Sequence, residues 1–364
     1  MCSSDLDRLG VVVAPAGDVD ADGYADVWMT STHNTDGGTA GSAWLFNGPL
    51  AGDVPTTDAA LLVYASASSS GLGTALVGDQ DLDGDGDLDL LVSSSGASHN
   101  TGVVLLLLDA PSATGSLSAG LADAELTGEG SSGGAGNVLT AGDLDGDGVS
   151  DIVVGAKNQD DALNNAGAVY VLTHTPSGTE ALADADGRFT GNEASAYLGI
   201  SLTYAGDVDG DGFGDLLVGQ VWGGASDEGA VWLVPGTATG DSSIADVSTA
   251  QVYGDAAGDA MGQAIAACGD VDADGYADFG AGAYAESTQG SSAGAVYRFY
   301  GPITGVLAGA DADSIVYGED PGDEAARGLA CGDTDGDGVS ELLVGASERT
   351  VTLGAEGEVY LLPW

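Results

Sequence analysis

The chain has 364 residues, 57 of them acidic and only 6 basic, for a formal charge of −51. A surface this negative repels nucleic acid and anionic membranes, which excludes both as partners and keeps a glycine-rich chain soluble. No apolar run approaches the roughly 18 residues of a membrane span, so no membrane insertion is expected. The 43% apolar residues and 62 glycines instead suit one large, much-turned β structure.

Met1-Cys2-Ser3-Ser4-Asp5-Leu6 reads as the translated end of a sequencing adaptor. Residues 1–6 are therefore expected to be a non-native leader on a truncated N-terminus, and residues 7–364 a single domain. Within that domain the phrase Asp-x-Asp-x-Asp-Gly-x-x-Asp returns six times, its first positions 63, 62, 64, 63 and 63 residues apart. Carboxylates at positions one, three, five and nine can converge on a hard cation. The carbonyl at seven adds an oxygen, and glycine at six permits the sharp turn.

In the first loop the carboxylates are Asp18, Asp20, Asp22 and Asp26, with the carbonyl of Tyr24. The second uses Asp81, Asp83, Asp85 and Asp89, with Asp87 at position seven. A register two residues earlier, from Asp79 to Asp87, also satisfies the phrase. The later one places Gly73 eight residues upstream, as in other units, and leads straight into Leu90-Leu91-Val92. Asp79 and Asp87 then remain as spare ligands. The third loop has Asp143, Asp145, Asp147 and Asp151 with Val149, and the fourth Asp207, Asp209, Asp211 and Asp215 with Phe213. The fifth has Asp270, Asp272, Asp274 and Asp278 with Tyr276. The sixth has Asp333, Asp335, Asp337 and Glu341 with Val339. Up to six Ca²⁺ are expected. An EF-hand would need a bidentate Glu at position twelve, but Met29, Val92, Val154, Val218, Ala281 and Val344 stand there, as a departing strand requires.

Around each loop lie four short apolar runs. In the fourth unit they are Gly199–Tyr204, Leu216–Val218, Ala230–Val234 and Ala250–Tyr253. Runs this short between Gly, Asp and Ser clusters read as strands. Trp44, Leu105, Tyr170, Trp232, Tyr297 and Tyr360 recur in the third run, and the fourth ends at Tyr64, Thr127, Thr190, Tyr253 and Tyr317. Six units of four antiparallel strands predict an all-β propeller, with a truncated seven-bladed ring as the alternative to six blades. The sixth unit stops at Trp364 after its third run, so Glu358–Leu362 is expected to present an open edge.

These motifs resemble the FG-GAP repeat family, the modules of the integrin α-subunit β-propeller. A degraded aromatic-Gly pair stands at Leu9-Gly10, Leu72-Gly73, Leu198-Gly199 and Met261-Gly262. Units three and six lack it at that spacing. Gly-Ala follows the second run at Gly155-Ala156, Gly282-Ala283 and Gly345-Ala346, with Gly219 alone in the fourth unit. The family's proline is replaced by Lys157, Tyr284, Ser347 and Val221. The resemblance implies a calcium-binding, non-enzymatic module, extracellular or on the cell surface, that recognises protein or glycan. The alternative is a non-catalytic domain of a larger secreted hydrolase.

Cys268 and Cys331 hold a slot occupied elsewhere by Ala16, Ala141 and Ala205. A small buried strand residue is the expected reading, and a disulfide between inner strands of adjacent blades the alternative. His33, His99 and His174 show no zinc spacing, and no Ser or Cys sits in a nucleophile motif. The loops opposite the acidic ones carry His33, His99, Lys157, Trp222, Tyr284, Arg327 and Arg349, a candidate face for the unknown ligand. Packing of Trp222 and Tyr284 on neighbouring blades is the competing reading.

Overall fold

A computed structural model describes residues 9–32, 41–65, 71–130, 132–160, 163–224, 226–348 and 357–364. The leader, His33 and Arg349 lie outside the described residues. In every repeat the ninth residue of the acidic loop opens the second strand. Those strands are Asp26–Ser31, Asp89–Ser94, Asp151–Ala156, Asp215–Gln220, Asp278–Ala283 and Glu341–Ala346. Before each loop runs a first strand: Val13–Gly17, Leu76–Gln80, Val138–Gly142, Leu202–Gly206, Met261–Gly269 and Ala325–Gly332. Third strands follow at Ser42–Phe46, Val103–Leu107, Ala168–Leu172, Ala230–Pro235, Ala295–Phe299 and Glu358–Leu362. Fourth strands are Leu61–Tyr64, Ala124–Thr127, Gly187–Thr190, Ala250–Tyr253 and Ser314–Tyr317, ending at the five residues the period marks.

Six small sheets with almost no helix make this an all-β, six-bladed propeller. The chain forms two compact units. One comprises residues 1–143, 147–160 and 170–186; the other comprises 144–146, 161–169 and 187–364. In blades two to five every residue of the second strand is buried. A strand covered on both faces has no polar side to alternate with, hence the unbroken Leu90-Leu91-Val92 and Leu216-Leu217-Val218. The first unit's core gathers Trp28, Leu45, Leu61, Val63, Leu90 and Leu107. In the second unit Phe279 and Phe299 stack with centroids 5.1 Å apart, beside Leu217, Val231 and Val252. Each such fully buried side chain contributes roughly 1.5–3 kcal/mol.

Two features depart from the sequence reading. First, four blades carry a fifth strand, supplied by the next repeat's connection between its third and fourth strands. Gly115–Ser118, Gly178–Ala181, Gly240–Ser243 and Gly305–Ala308 pair in parallel with the preceding fourth strands. Second, Cys268 and Cys331 form a disulfide with Cα atoms 5.0 Å apart, tying the first strands of blades five and six. The expected pair of buried thiols is corrected to the cross-link, because equivalent positions in adjacent inner strands lie within disulfide reach.

In the first five blades the glycine before the third strand is a point of close approach. Gly229 has φ +77°, and a Cβ there would fall 2.3 Å from the Met261 carbonyl oxygen. Gly41, Gly167 and Gly294 bridge Leu72, Leu198 and Ala325 in the same way. In units three and six this contact falls on Ala135-Gly136 and Ala325-Ala326, one residue nearer their acidic loops, which is why a fixed spacing misses them. The sixth sheet has three strands among the described residues, with Val359 67% and Leu361 54% exposed.

Candidate metal centres

One hydrogen-bond scheme shapes the acidic loops. The first Asp accepts the N–H of the sixth residue: Gly23 on Asp18 at 2.9 Å, Gly86 on Asp81 at 2.9 Å and Gly148 on Asp143 at 3.0 Å. Gly212 on Asp207, Gly275 on Asp270 and Gly338 on Asp333 repeat it at 3.0, 2.9 and 2.9 Å. Each of these glycines has φ between +91° and +100°, so the phrase requires glycine there. Asp20, Asp83, Asp209, Asp272 and Asp335 accept the fifth residue's N–H at 3.1–3.2 Å. Asp22, Asp85, Asp147, Asp211, Asp274 and Asp337 accept the N–H of Tyr24, Asp87, Val149, Phe213, Tyr276 and Val339 at 2.8–3.0 Å.

Backbone donors thus occupy one oxygen of the carboxylates at positions three and five, and both oxygens of Asp18, Asp81, Asp207, Asp270 and Asp333 at position one, and orient each group. Within 4.8 Å of one another lie oxygens of Asp18, Asp20 and Asp22, of Asp81, Asp83 and Asp85, and of Asp207, Asp209 and Asp215. Asp145 belongs to the second unit, while the rest of its carboxylate set, Asp143, Asp147 and Asp151, belongs to the first.

The ninth residue differs from the others in burial. Asp26, Asp89, Asp151, Asp215 and Asp278 are buried, and Glu341 is half-buried. One oxygen takes the N–H of the loop's second residue, as Val19 on Asp26, Leu82 on Asp89, Val208 on Asp215 and Val271 on Asp278, at 2.7–2.8 Å. Thr334 does the same on Glu341 through its N–H at 2.8 Å. The other oxygen takes an N–H from the turn after the third strand: Gly48 on Asp26 at 2.7 Å, Asp109 on Asp89 at 2.9 Å and Gly301 on Asp278 at 2.9 Å.

Asp215 breaks that pattern. Its Oδ1 is buried without a hydrogen-bond partner. Burial, with the charges of Asp209 and Asp211, pushes its carboxyl up to about 7, and burial with Asp83 and Asp81 pushes Asp89 to about 6. Burial raises Asp278 likewise. An orphaned carboxylate oxygen beside two further carboxylates fits a hard divalent cation, which takes six to eight oxygens and would supply the missing positive charge.

Asp79 lies within a first strand, whereas Asp87 shares a second acidic group with Asp85 and Asp109. Asp109 stands in no loop phrase and is visible only in the fold. At the opposite ends of the strands, the Arg327 guanidinium lies 4.5 Å from the centroid of the Tyr284 ring, and its Nε donates to Glu324. Tyr284 thus packs on a residue of the neighbouring blade. Trp222 is half-buried and its backbone N–H donates to Ala196 O at 3.3 Å, and the backbone N–H of Lys157 donates to Asn137 Oδ1 at 2.8 Å. The side chain of His99 lies outside the described residues. His174 joins neither set: Nδ1 lies 2.7 Å from Asp186 and Nε2 3.2 Å from Glu180, and the Asp186 bond holds its pKa above the usual histidine value.

Residues 135–172 match the model of the FG-GAP repeat. Integrin alpha-PS2 of Drosophila melanogaster is 31% identical over 154 residues, which covers 40% of this chain and 11% of that protein. Integrin alpha-IIb of Homo sapiens is 32% identical over 168 residues, covering 45% of this chain and 15% of that protein. For integrin alpha-4 of Xenopus laevis the figures are 32% over 153 residues, 41% and 14%. The chain spans less than a fifth of the length of these relatives. The propeller thus contains a segment matching the FG-GAP repeat and is similar, over less than half of its length, to parts of integrin α subunits. No helix among the described residues is long and apolar enough to cross a membrane.

Proposed function

We propose that this FG-GAP propeller binds calcium in its acidic loops and acts outside the cell as a non-enzymatic adhesion or ligand-recognition module. The observation that carries the calcium reading is Asp215, a fully buried carboxylate with an orphaned oxygen beside Asp207 and Asp209. In each loop the carboxylates at positions one, three, five and nine would hold the ion, with the carbonyl at seven. The ion would neutralise charges that otherwise repel one another and fix the turn between the first two strands.

The relation to integrin α subunits favours recognition of a protein or glycan ligand. Loops at the other ends of the strands, that of Lys157 in the first unit and those of Trp222, Tyr284 and Arg327 in the second, are each candidate contact surfaces. A disulfide between Cys268 and Cys331 favours an oxidising compartment, hence an extracellular or cell-surface location. Two experiments test the reading. Thermal melting in calcium and in chelator should differ by many degrees, because each filled site adds about 2.7 kcal/mol at a hundredfold excess over its dissociation constant. An unchanged melt refutes calcium binding. Glycan arrays and panels of purified extracellular proteins, probed in calcium, should then yield a ligand whose binding falls on substitution of Trp222 or Arg327. Silence on both refutes the recognition role.

A further inference from the structure

Successive acidic loops touch, and the same two contacts recur. In the second unit the N–H of Ala277, eighth in its loop, donates to the carbonyl of Asp207, first in the preceding loop, at 2.7 Å. Beside it the Tyr276 ring lies over Gly210, fourth in that preceding loop. A Cβ on Gly210 would fall 2.5 Å from Tyr276 Cε1. In the first unit the N–H of Ser150 donates to Asp81 O at 3.3 Å, and Val149 lies against Gly84, where a Cβ would fall 2.9 Å from Val149 Cγ2. The turn after the third strand adds a tie to the second residue of the preceding loop: Ile303 N–H on Val208 O at 3.3 Å, and Thr175 Oγ1 on Leu82 O at 3.0 Å.

We propose that neighbouring loops take up divalent cations with positive coupling, the pair Asp207–Asp215 and Asp270–Asp278 being joined through Tyr276. This rests on the calcium reading above. Tyr276 belongs to both loops. Its main chain is position seven of one, with its N–H on Asp274, and its ring covers the glycine turn of the other. A cation that draws Asp270–Asp278 together fixes the peptides at 276 and 277. That fixes the Tyr276 ring and the Ala277 N–H, which in turn hold Gly210 and the Asp207 peptide in place. The second loop then meets its ion with part of its ordering already done, so the entropy of ordering is spent once for two sites. Repulsion between the two ions opposes this. It is screened over about 8 Å at physiological salt, and each loop retains four carboxylates against one divalent ion.

The experiment is hydrogen exchange by mass spectrometry on the full chain at graded free calcium. Protection of residues 205–217 and of 268–280 reports the two loops separately. The variant D270A/D272A, changed at two exposed side chains, disables the later loop. It should move the calcium midpoint of 205–217 upward by at least about fivefold, the lower range of such couplings. In a Y276A background, which keeps the position-seven carbonyl, the same double substitution should move it no further. No shift on D270A/D272A overturns the coupling, and a shift undiminished in Y276A overturns the role of Tyr276. Should Y276A fold poorly, D270A/D272A alone still decides the coupling. Calcium-independent exchange of both segments in the wild type would instead sink the calcium reading, and the coupling with it.

Discussion

Replacing Cys268 and Cys331 together by alanine isolates the value of the covalent tie between blades five and six. Alanine already fills this slot as Ala16, Ala141 and Ala205, so the substitution disturbs packing little. The disulfide closes a span of 63 residues, and the chain-entropy relation puts its contribution at about 4 kcal/mol. Blade six should carry most of the loss. Its Leu342 and Val344 pack with Cys268 and Val296 of blade five, and its outer side chains Val359 and Leu361 are exposed. Urea unfolding of the variant should therefore begin earlier by more than about 1 M, given slopes on the order of 1–3 kcal/mol/M. Hydrogen exchange should place the weakening at Glu341–Ala346. Wild-type protein in dithiothreitol should match the variant. An unchanged midpoint, or alkylation of both thiols in unreduced native protein, would falsify the reasoning.

In calcium-free protein the folded state holds the Asp215 proton to about pH 7, while the unfolded chain releases it near 3.8. The contribution of Asp215 is thus fully present below about pH 4 and is lost as pH rises through 7. Urea titrations in chelator should show this decline in the wild type and not in D215N; parallel pH profiles would contradict it. His174 titrates in the same sense, its folded pKa raised first by the Asp186 bond, so it stabilises below its unfolded value and the gain disappears at higher pH. H174A should cost more at pH 5.5 than at pH 9, by a small amount because the ring is half exposed; equal costs would reject the assignment. Gly229→Ala should cost roughly 1–3 kcal/mol, since the left-handed backbone and the Met261 carbonyl both oppose a Cβ. Gly240→Ala, at φ +83° with open space around it, should cost less. Equal losses in urea would show that the close approach is unimportant.

The architecture was legible because the period recurs in apolar strand positions as well as in acidic ones. Strand ends at Tyr64, Thr127, Thr190, Tyr253 and Tyr317 follow from counting alone. Gly115–Ser118 and its three counterparts left no such trace. They are short, partly exposed and often polar, and their partners lie in another repeat. The disulfide was visible only as two thiols in one repeated slot, and its formation depends on how closely adjacent inner strands run. In the candidate centres the phrase identifies which carboxylates group, but not which are buried. The orphaned oxygen of Asp215 lacks the N–H that Gly48, Asp109 and Gly301 give its counterparts, a difference the phrase itself does not carry, and Asp109 enters an acidic group only through the fold. The family match covers residues 135–172, although that segment too lacks the aromatic and has Lys157 in place of the proline.

Because each parallel strand belongs by sequence to one repeat and by hydrogen bonding to the sheet before it, the interval of 63 residues is not a separable building block. Excising residues between two acidic phrases would remove a strand from a sheet otherwise left intact and strand its donor without a host. The part that can be transplanted whole starts at a first strand and runs through the parallel strand of the following repeat, overlapping its neighbour. Duplication or shuffling of such modules succeeds only when the cut respects that overlap, as with roof tiles that must be lifted two at a time. Stability then passes along the array by nearest-neighbour terms, and a fault in one repeat is felt first in the sheet that precedes it.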